Sequence, residues 1–146
     1  MKVLICGLPG SGKTTLAREL SYHFLLPHYN ADTVRELSNN WDFSTKGRLQ
    51  QFHRMNLESW GILDFVCPYR EFRQRIDADF TIWMNTITES KYEDTNKEWQ
   101  DLGLREYSVK VDKRLDLEEL RKVMQKYPAG IKGCNDFLHE HFRKNF

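Results

Sequence analysis

Three scarcities set the first limits on what this sequence can be. Its 146 residues include only three cysteines, and Cys6, Cys67 and Cys134 lie too far apart for a C-x-x-C or a Cys/His metal-binding motif. Cysteines placed in apolar runs behave as small hydrophobes, which suits a reducing compartment. No apolar run is long enough to cross a membrane. The net charge is only +1 with both signs mixed, which argues against nucleic acid as a partner.

The sequence also lacks internal repeats and low-complexity segments. The chain passes from Met1 and Lys2 straight into an apolar run, which leaves no room for a signal peptide. A domain has roughly 100–200 residues, so we expect one domain over residues 1–146. We expect it to be soluble and cytoplasmic.

The most informative stretch of the chain is residues 7–14. It reads Gly-Leu-Pro-Gly-Ser-Gly-Lys-Thr and fits the phosphate-binding pattern G-x-x-x-x-G-K-[ST]. Residues 3–6 before it are apolar and rich in β-formers, and residues 14–24 after it carry apolar side chains at helical spacing. Strand, glycine loop and helix therefore follow in the order that phosphate binding requires.

The chemistry of this loop follows from its backbone. Its glycines allow the N–H groups to point at a phosphate, and the next helix adds its positive end. Lys13 would reach the outer phosphates, and the Thr14 hydroxyl would take a Mg²⁺ ligand position. The pattern predicts ATP and Mg²⁺ as cofactors, with ATP contacts from Gly7, Leu8, Pro9, Gly10, Ser11, Gly12, Lys13, Thr14 and Thr15. Binding of nucleotide without catalysis stays open as an alternative.

Asp32 stands where a short second strand would meet a second helix. Ligands of open α/β sheets gather at the carboxyl ends of strands, where a carboxylate can orient a hydroxyl nucleophile or hold Mg²⁺ through water. The alternative is helix capping, because Thr33-x-x-Glu36 is a capping-box pattern. We predict that Asp32 combines capping with catalysis.

A long helix is predicted from about residue 45 to residue 60, with Ser44 as one candidate cap. Arg48 and Gln51 are three residues apart and therefore share a face of it. Phe43 lies just before the helix and off its apolar stripe, so it either stacks on a base or staples the helix end to the core. Spacing alone favours the staple.

The second strong strand is predicted over residues 62–67. Asp64 in its middle needs a partner if it is buried. It could support Mg²⁺ near the phosphate loop, but a hydrogen-bonded structural carboxylate is the favoured interpretation. Pro68, Tyr69 and Arg70 follow at the ligand-binding edge of the sheet, where Arg70 could grip a phosphate or sulfate through two hydrogen bonds.

Strand and helix patterns go on alternating to the end of the chain. Further strands are predicted over residues 79–84 and 106–111, and an amphipathic helix over 115–124. The alternation implies an α/β fold with a parallel sheet and helices on both faces. Between them, residues 86–105 are polar with weak periodicity, which is typical either of a mobile lid or of a solvated loop without contacts.

Four pieces of the sequence, taken in order, resemble the adenylylsulfate kinase (APS kinase) family over roughly the first half of the chain. The resemblance implies a three-layer P-loop kinase fold with a mainly parallel five-stranded sheet, and a homodimer. The pieces are the loop at residues 7–14, Asn30-Ala31-Asp32 with Arg35, Asp42-Phe43-Ser44 with Gly47-Arg48 and Gln51, and Phe65-Val66-Cys67-Pro68-Tyr69-Arg70.

The same resemblance implies transfer of the ATP γ-phosphoryl group to the 3′-hydroxyl of adenylyl sulfate. Lys13 and Asp32 would then be catalytic, Asp32 and Thr14 would place Mg²⁺, and Phe43 would stack on adenine. Positioning and charge stabilisation carry most of such a reaction. The implied substrate contacts are Asp32, Arg35, Phe43, Arg48, Gln51, Pro68, Tyr69 and Arg70.

This sequence departs from the family pattern at several positions. Asn30 replaces an acidic residue, Gln51 an Asn and Cys67 a Ser, and the family's lid pattern after Met84 is missing. Two alternatives therefore stay open: a kinase acting on another nucleotide or on a polynucleotide 5′-end, and a non-catalytic nucleotide-binding module.

Overall fold

A computed structural model describes residues 1–146 as an α/β fold built on one sheet of five strands. The strand order is β2-β3-β1-β4-β5 and every pairing is parallel, which confirms the predicted parallel sheet. The glycine loop therefore leaves the middle strand of the sheet. The strands are β1 (Lys2–Cys6), β2 (His28–Asn30), β3 (Gly61–Asp64), β4 (Phe80–Met84) and β5 (Val109–Val111).

Helices connect the strands and continue past the last one. None of them is long and apolar enough to cross a membrane. A π-helical turn, Leu138–Phe142, links the last two helices. The helices are α1 (Lys13–Phe24), α2 (Ala31–Ser38), α3 (Thr45–Asn56), α4 (Arg70–Ile76), α5 (Glu93–Glu98), α6 (Leu117–Met124), α7 (Ile131–Phe137) and α8 (Arg143–Asn145).

Two hydrophobic cores cover the two faces of the sheet, as the alternation along β1 dictates. Val3 and Ile5 point to the face covered by α1, α6 and α7, where Leu20 and Phe137 are buried. The intervening residues of β1 point to the other face, where α3 and α4 pack and Phe52 is buried. Helices on both faces were expected from the sequence, and this burial confirms them.

Two predicted elements end earlier in the structure than in the sequence pattern. The strand predicted over residues 62–67 ends at Asp64, because Cys67 takes a left-handed conformation at φ 47° and Pro68 follows it. The helix predicted to residue 60 ends at Asn56, and Gly61 already belongs to β3. The shorter strand places Asp64 at the carboxyl edge of the sheet rather than inside it.

Residues 85–106 form a packed segment rather than a solvated loop. Thr86 Oγ1 donates to the carbonyl of Ser11 at 2.7 Å, and the Gln100 amide donates to the carbonyl of Pro68 at 2.9 Å. The Tyr69 hydroxyl donates to Glu98 at 2.9 Å. The solvated-loop interpretation is therefore wrong, whereas closure of a lid at residues 86–105 stays a prediction.

Candidate active site

The phosphate-loop residues 7–14 join β1 to α1 through a backbone that needs glycine. Gly7 has φ 152°, and a Cβ atom there would lie 2.5 Å from the carbonyl oxygen of Met84. Gly12 has φ 98° and forms the N-cap of α1 without any side-chain cap, so no side chain satisfies the first amides of the helix. Uncapped amides at the positive end of a helix form an anion-binding site.

Lys13 lies at the start of α1 and is only 9% exposed. Its Nζ donates to the carbonyl of Leu8 at 3.0 Å, so the cation lies against the loop itself. Burial lowers the pKa of Lys13, while the nearby carboxylates of Asp64 and Asp32 act to raise it. The loop thus holds a desolvated cation against its own Leu8 carbonyl, near two acidic side chains.

Asp64 is the centre of a buried polar cluster beside the loop. It lies at the end of β3, where it pairs in register with Ile5 of β1. Its Oδ2 accepts hydrogen bonds from His28 Nε2 at 2.9 Å and from Asn30 Nδ2 at 3.0 Å. The Asn30 amide also donates to Thr14 Oγ1 at 3.1 Å, which ties the cluster to α1.

The cluster keeps Asp64 ionised although it is 1% exposed. Burial is the largest influence and acts to raise the pKa of Asp64. The hydrogen bonds from His28, Asn30 and Thr14, together with the charge of Lys13, outweigh it and hold the pKa below its usual value. The favoured hydrogen-bonded interpretation of Asp64 agrees with these contacts. Its proximity to Lys13 was missed, since only the strand order puts β3 beside β1.

A cavity of about 840 Å³ opens beside the loop, and we call it the large cavity. Its walls come from the loop, from α2 and α3, from the connection after β3, and from residues 87–95. The predicted site residues that line it are Pro9, Gly10, Lys13, Thr14, Asp32, Arg35, Phe43, Arg48, Gln51 and Pro68. Asp64, Trp41 and Tyr92 also line it and were not among the predicted site residues.

Asp32 lies in the first turn of α2 and is exposed to the large cavity. The predicted capping role for Asp32 is wrong. The side chain of Asn30 caps α2 instead, accepting the Thr33 amide at 3.0 Å. The Asp32 carboxylate is therefore free of capping and makes no ion pair.

Two buried arginines support the far wall of the large cavity. Arg35 is 4% exposed, and its Nη1 donates to the carbonyls of Asn40 at 3.2 Å and Asp42 at 3.0 Å. Arg48 is 6% exposed, and its Nε donates to the carbonyl of Phe43 at 2.9 Å. Burial, and then the charges of Arg54 and Arg48, lower the pKa of Arg35. These arginines gather positive charge around the cavity.

The Phe43 ring packs on these cations rather than on the core. The guanidinium carbon of Arg35 lies 4.3 Å from the ring centre and that of Arg48 lies 5.6 Å away. The ring is 43% exposed and belongs to neither hydrophobic core. The staple interpretation of Phe43 is therefore wrong, and base stacking stays a prediction.

Arg48 also connects the cavity wall to residues 85–106. Its Nη2 donates to Thr95 Oγ1 at 3.1 Å and lies 3.7 Å from the Asp94 carboxylate. Thr95 is buried at 5% exposure although it belongs to the short, polar helix α5. One arginine thus joins α3 to the segment on the opposite side of the cavity.

Two predicted substrate contacts lie outside the large cavity. Arg70 is the first residue of α4, and its Nε donates to Glu106 at 3.1 Å while the side chain stays 55% exposed. The Tyr69 hydroxyl is bonded to Glu98, so this ring supports the segment rather than lining the cavity. The Tyr69 ring packs edge-on against Phe72 at the margin of the second hydrophobic core, so neither side chain lines the large cavity.

A second cavity, of about 420 Å³, lies on the other side of the phosphate loop. It shares Gly10, Lys13 and Thr14 with the large cavity and adds predicted ATP contacts Ser11, Gly12 and Thr15. Its outer wall is formed by Met84, Arg114, Leu115 and Leu117. Sequence reasoning missed Arg114 and Leu115, although their position just after the last strand of an α/β sheet was a usable signal.

No protein-family description matches this chain, and no curated protein matches it either. Several solved structures are similar to this chain. APS kinase from Mycobacterium tuberculosis, solved with AMPPNP and APS, is similar at 17% identity and TM-score 0.60, over 85% of this chain and 95% of that one. A gluconokinase from Sinorhizobium meliloti is similar at 12% identity and TM-score 0.60, over 99% and 97%. Shikimate kinase from Aquifex aeolicus is similar at 14% identity and TM-score 0.59, over 86% and 95%.

The chain has the P-loop kinase fold. Another solved structure, at 24% identity and TM-score 0.52, is covered over only 64% of its own length. At such identities the likeness shows the architecture alone. It does confirm the α/β prediction, because these neighbours are built in the same way as the five-stranded parallel sheet found here.

The P-loop kinase fold implies a magnesium ion beside the phosphate loop, and the donor set here can be tested for it. No group of three or more His, Cys, Asp or Glu side chains could hold a metal. Mg²⁺ does not need such a group, because it keeps several waters and binds through one or two carboxylates plus substrate phosphates. The Thr14 hydroxyl, the ionised Asp64 and the exposed Asp32 beside Lys13 fit that requirement.

Proposed function

We propose that this protein is an ATP-dependent kinase acting on a small anionic nucleotide, with the 3′-hydroxyl of adenylyl sulfate as the leading acceptor. One observation carries the proposal. Two cavities meet at Gly10, Lys13 and Thr14, so a donor phosphate on the loop would face an acceptor held in the large cavity. Phosphoryl transfer needs this in-line approach more than covalent chemistry from the protein.

The donor half of the site is the loop with the second cavity. The loop amides and Lys13 would hold the β- and γ-phosphates, and the nucleoside would lie against Arg114 and Leu115. Magnesium, when bound, neutralises charge on the transferring phosphate. Thr14 and Asp64 would hold it, with Asp32 reaching it directly or through water. Lys13 stabilises charge that develops on the bridging oxygen.

Asp32 is the residue that would orient the acceptor hydroxyl. It lines the large cavity near Lys13, is exposed, and makes no ion pair that would have to break first. A carboxylate in this position accepts the proton of the attacking hydroxyl as the phosphate arrives. Asp32 needs no further role, because the loop amides and the cations stabilise the charge that develops during transfer.

The charge of the large cavity supports an anionic acceptor. Nε and Nη2 of Arg35 and Nη1 of Arg48 make no hydrogen bond to the protein. Guanidinium groups with free donors bind sulfate and phosphate through paired hydrogen bonds. The only carboxylate paired with Arg48 is Asp94, which is 65% exposed. An anion in the cavity would therefore meet two guanidinium groups that still have unused hydrogen-bond donors.

The size of the large cavity supports an acceptor of nucleotide size. Its volume of about 840 Å³ lies within the ~300–1,000 Å³ of cavities that bury drug-sized ligands, and is large for a single sugar or small acid. Trp41, Phe43 and Tyr92 line it and are about half exposed, so each has ring surface available for a base. The family resemblance favours Phe43 for this stacking, and Pro68 lines the same cavity.

ADP release by the purified protein with MgATP tests the proposal. The acceptors are adenylyl sulfate, a panel of nucleoside monophosphates and nucleosides, shikimate, gluconate and a 5′-hydroxyl oligonucleotide. Asp32→Asn should abolish turnover, whereas Glu36→Gln, an exposed carboxylate on the same helix, should not. Turnover with adenylyl sulfate alone is the expected result.

Other outcomes would overturn parts of the proposal. Turnover with a different acceptor would leave the kinase assignment in place but change the proposed substrate. Turnover with the oligonucleotide would favour the polynucleotide 5′-end alternative. ATP binding without turnover on any acceptor would favour the non-catalytic module.

We further propose a cytoplasmic homodimer serving sulfate assimilation, on the strength of the family resemblance. Sedimentation at several concentrations tests the dimer.

A further inference from the structure

The side-chain amide of Gln51 uses both of its ends on the protein. Its Nε2 donates to the backbone carbonyl of Ala31 at 2.9 Å. Its Oε1 accepts from Arg54 twice, from Nε at 3.2 Å and from Nη2 at 2.9 Å. The side chain is 4% exposed although it lines the large cavity. The oxygen therefore has no further acceptor position, and the second N–H of Nε2 is the one part of this amide that remains without a partner.

The partners of Gln51 leave only one orientation for its amide. A backbone carbonyl can only accept, and a guanidinium can only donate. The NH₂ group must therefore face Ala31 and the oxygen must face Arg54. Arg54, one turn further along α3, in this way prevents Gln51 from rotating away. The two residues act as one rigid arm from α3 to α2.

This arm ends beside Asp32. Ala31 is the first residue of α2 and precedes Asp32 directly. On its other side, Asn30 is bonded to Thr14 and Asp64. The backbone that carries Asp32 is therefore held from the phosphate loop on one side and from α3 on the other. The Asp32 side chain makes no hydrogen bond, so the position of its carboxylate depends on how this backbone is held.

We propose that Gln51, oriented by Arg54, is a positioning residue that holds the Asp32 carboxylate at the acceptor hydroxyl through its bond to the Ala31 carbonyl. This inference rests on the proposed function of Asp32. It departs from the substrate-binding role that the family resemblance implied for Gln51. A displacement of about 1 Å costs on the order of 10²-fold in rate, so the arm matters to turnover rather than to affinity.

Gln51→Met tests the arm, because Met has a similar volume but no amide. We expect kcat to fall about 10- to 100-fold with the KM values for ATP and acceptor nearly unchanged. Gln51→Glu should behave alike, since a carboxylate still pairs with Arg54 but repels the Ala31 carbonyl. Gln74→Met on α4 is the matched control, because Gln74 is exposed and makes no hydrogen bond. An unchanged kcat or a selective rise in acceptor KM would overturn the proposal.

A double-mutant cycle separates positioning from general damage. If Gln51 acts through Asp32, then Gln51→Met should cost little further kcat once Asp32→Glu has already displaced the carboxylate. Additive losses would mean that Gln51 acts elsewhere. Thermal midpoints of all variants check that each is folded before its rate is read.

Amide hydrogen exchange decides the question without turnover. Gln51→Met should speed exchange of the Thr33 amide, which donates to Asn30 Oδ1 at the start of α2, while α4 keeps its wild-type rates. Failure of the proposed function would appear as an inactive wild type with this exchange effect still present. Unchanged exchange in α2 would overturn the arm itself, whatever the activity.

Discussion

The two halves of the candidate site are built in different ways. The phosphate loop is eight consecutive residues. Its shape comes from its glycine backbone, and the groups that it offers to a phosphate are mostly backbone N–H groups. The opposite half, which we call the acceptor wall, consists of residues 30–35, 40–51 and 87–95. Side chains such as Arg35, Arg48 and Gln51 hold it together by donating to backbone carbonyls 5 to 20 residues away.

This difference explains how one fold can serve unlike acceptors. A loop made of backbone cannot change without losing phosphate binding, because the clash at Gly7 is with another backbone atom. A wall made of side-chain contacts can be rebuilt one residue at a time. The solved structures that resemble this chain include kinases named for APS, shikimate and gluconate. We therefore expect damage to the loop to affect every acceptor, and damage to the wall to affect one.

The largest effect is expected from Lys13→Met. Removing the cation from the loop should lower kcat/KM about 10²–10³-fold with every acceptor tested, because the role that we propose for Lys13 is to stabilise charge that develops during transfer. Steady-state ADP release measures it. Arg18→Met, an exposed cation on the same helix, is the control. A loss of kcat/KM with one acceptor only would contradict the expectation that damage to the loop affects every acceptor.

Arg48→Met should act on the wall alone. It removes a buried cation with a free donor, and hydrogen bonds to charged groups contribute about 1.5–3 kcal/mol. We expect the acceptor KM to rise about 10- to 100-fold while the Kd for ATP is unchanged. Calorimetric titration with ATP and rate measurements at varied acceptor check this. Arg105→Met is the exposed control, and weakened ATP binding would contradict the prediction.

Gly47→Ala should loosen the wall by overpacking. A Cβ atom at Gly47 would lie 2.0 Å from the carbonyl oxygen of Asp42, which accepts a hydrogen bond from Arg35. Overpacking of this kind costs about 1–3 kcal/mol of unfolding free energy. Urea unfolding measures that loss, and acceptor KM should rise alongside it. An unchanged urea midpoint would show that the turn adjusts freely.

The smallest effect concerns the pH dependence of the unfolding free energy. It involves Glu106, the last residue of the segment 85–106. Burial acts to raise the pKa of Glu106, but the Gly103 amide and the charges of Arg73 and Arg70 outweigh it and lower the pKa. A lowered pKa stabilises the fold above the unfolded value near 4.3, and this contribution disappears as pH falls through the folded value. Glu106→Gln should therefore lose under about 1 kcal/mol at pH 7 and show a shallower decline below about pH 4.

Urea midpoints at pH 7 and pH 3.5 for both proteins measure this difference. ATP affinity at pH 7 should not change, because Glu106 contacts Arg70 and Arg73 of α4 and not the phosphate loop. A parallel decline in both proteins would mean that Glu106 titrates normally in the folded state.

Local chemistry determined much of this protein from the sequence alone. The glycine pattern at residues 7–14 dictates a backbone shape wherever a strand precedes it and a helix follows it. The continuous apolar run from Val3 to Cys6 likewise decided that both faces of the sheet would be covered, because successive side chains of a strand point to opposite faces. Both signals lie within one short stretch of chain, so no distant contact is needed to interpret them.

The tertiary structure decided everything that depends on which segments become neighbours. The strand order placed Asp64 beside the loop, and Arg70 came to pair with Glu106 outside the large cavity. Asn30 rather than Asp32 became the helix cap, and Arg48 reached Thr95 across the cavity. These contacts join residues up to tens of positions apart, and their geometry is set by the packing of the whole chain, which periodicity and spacing do not encode.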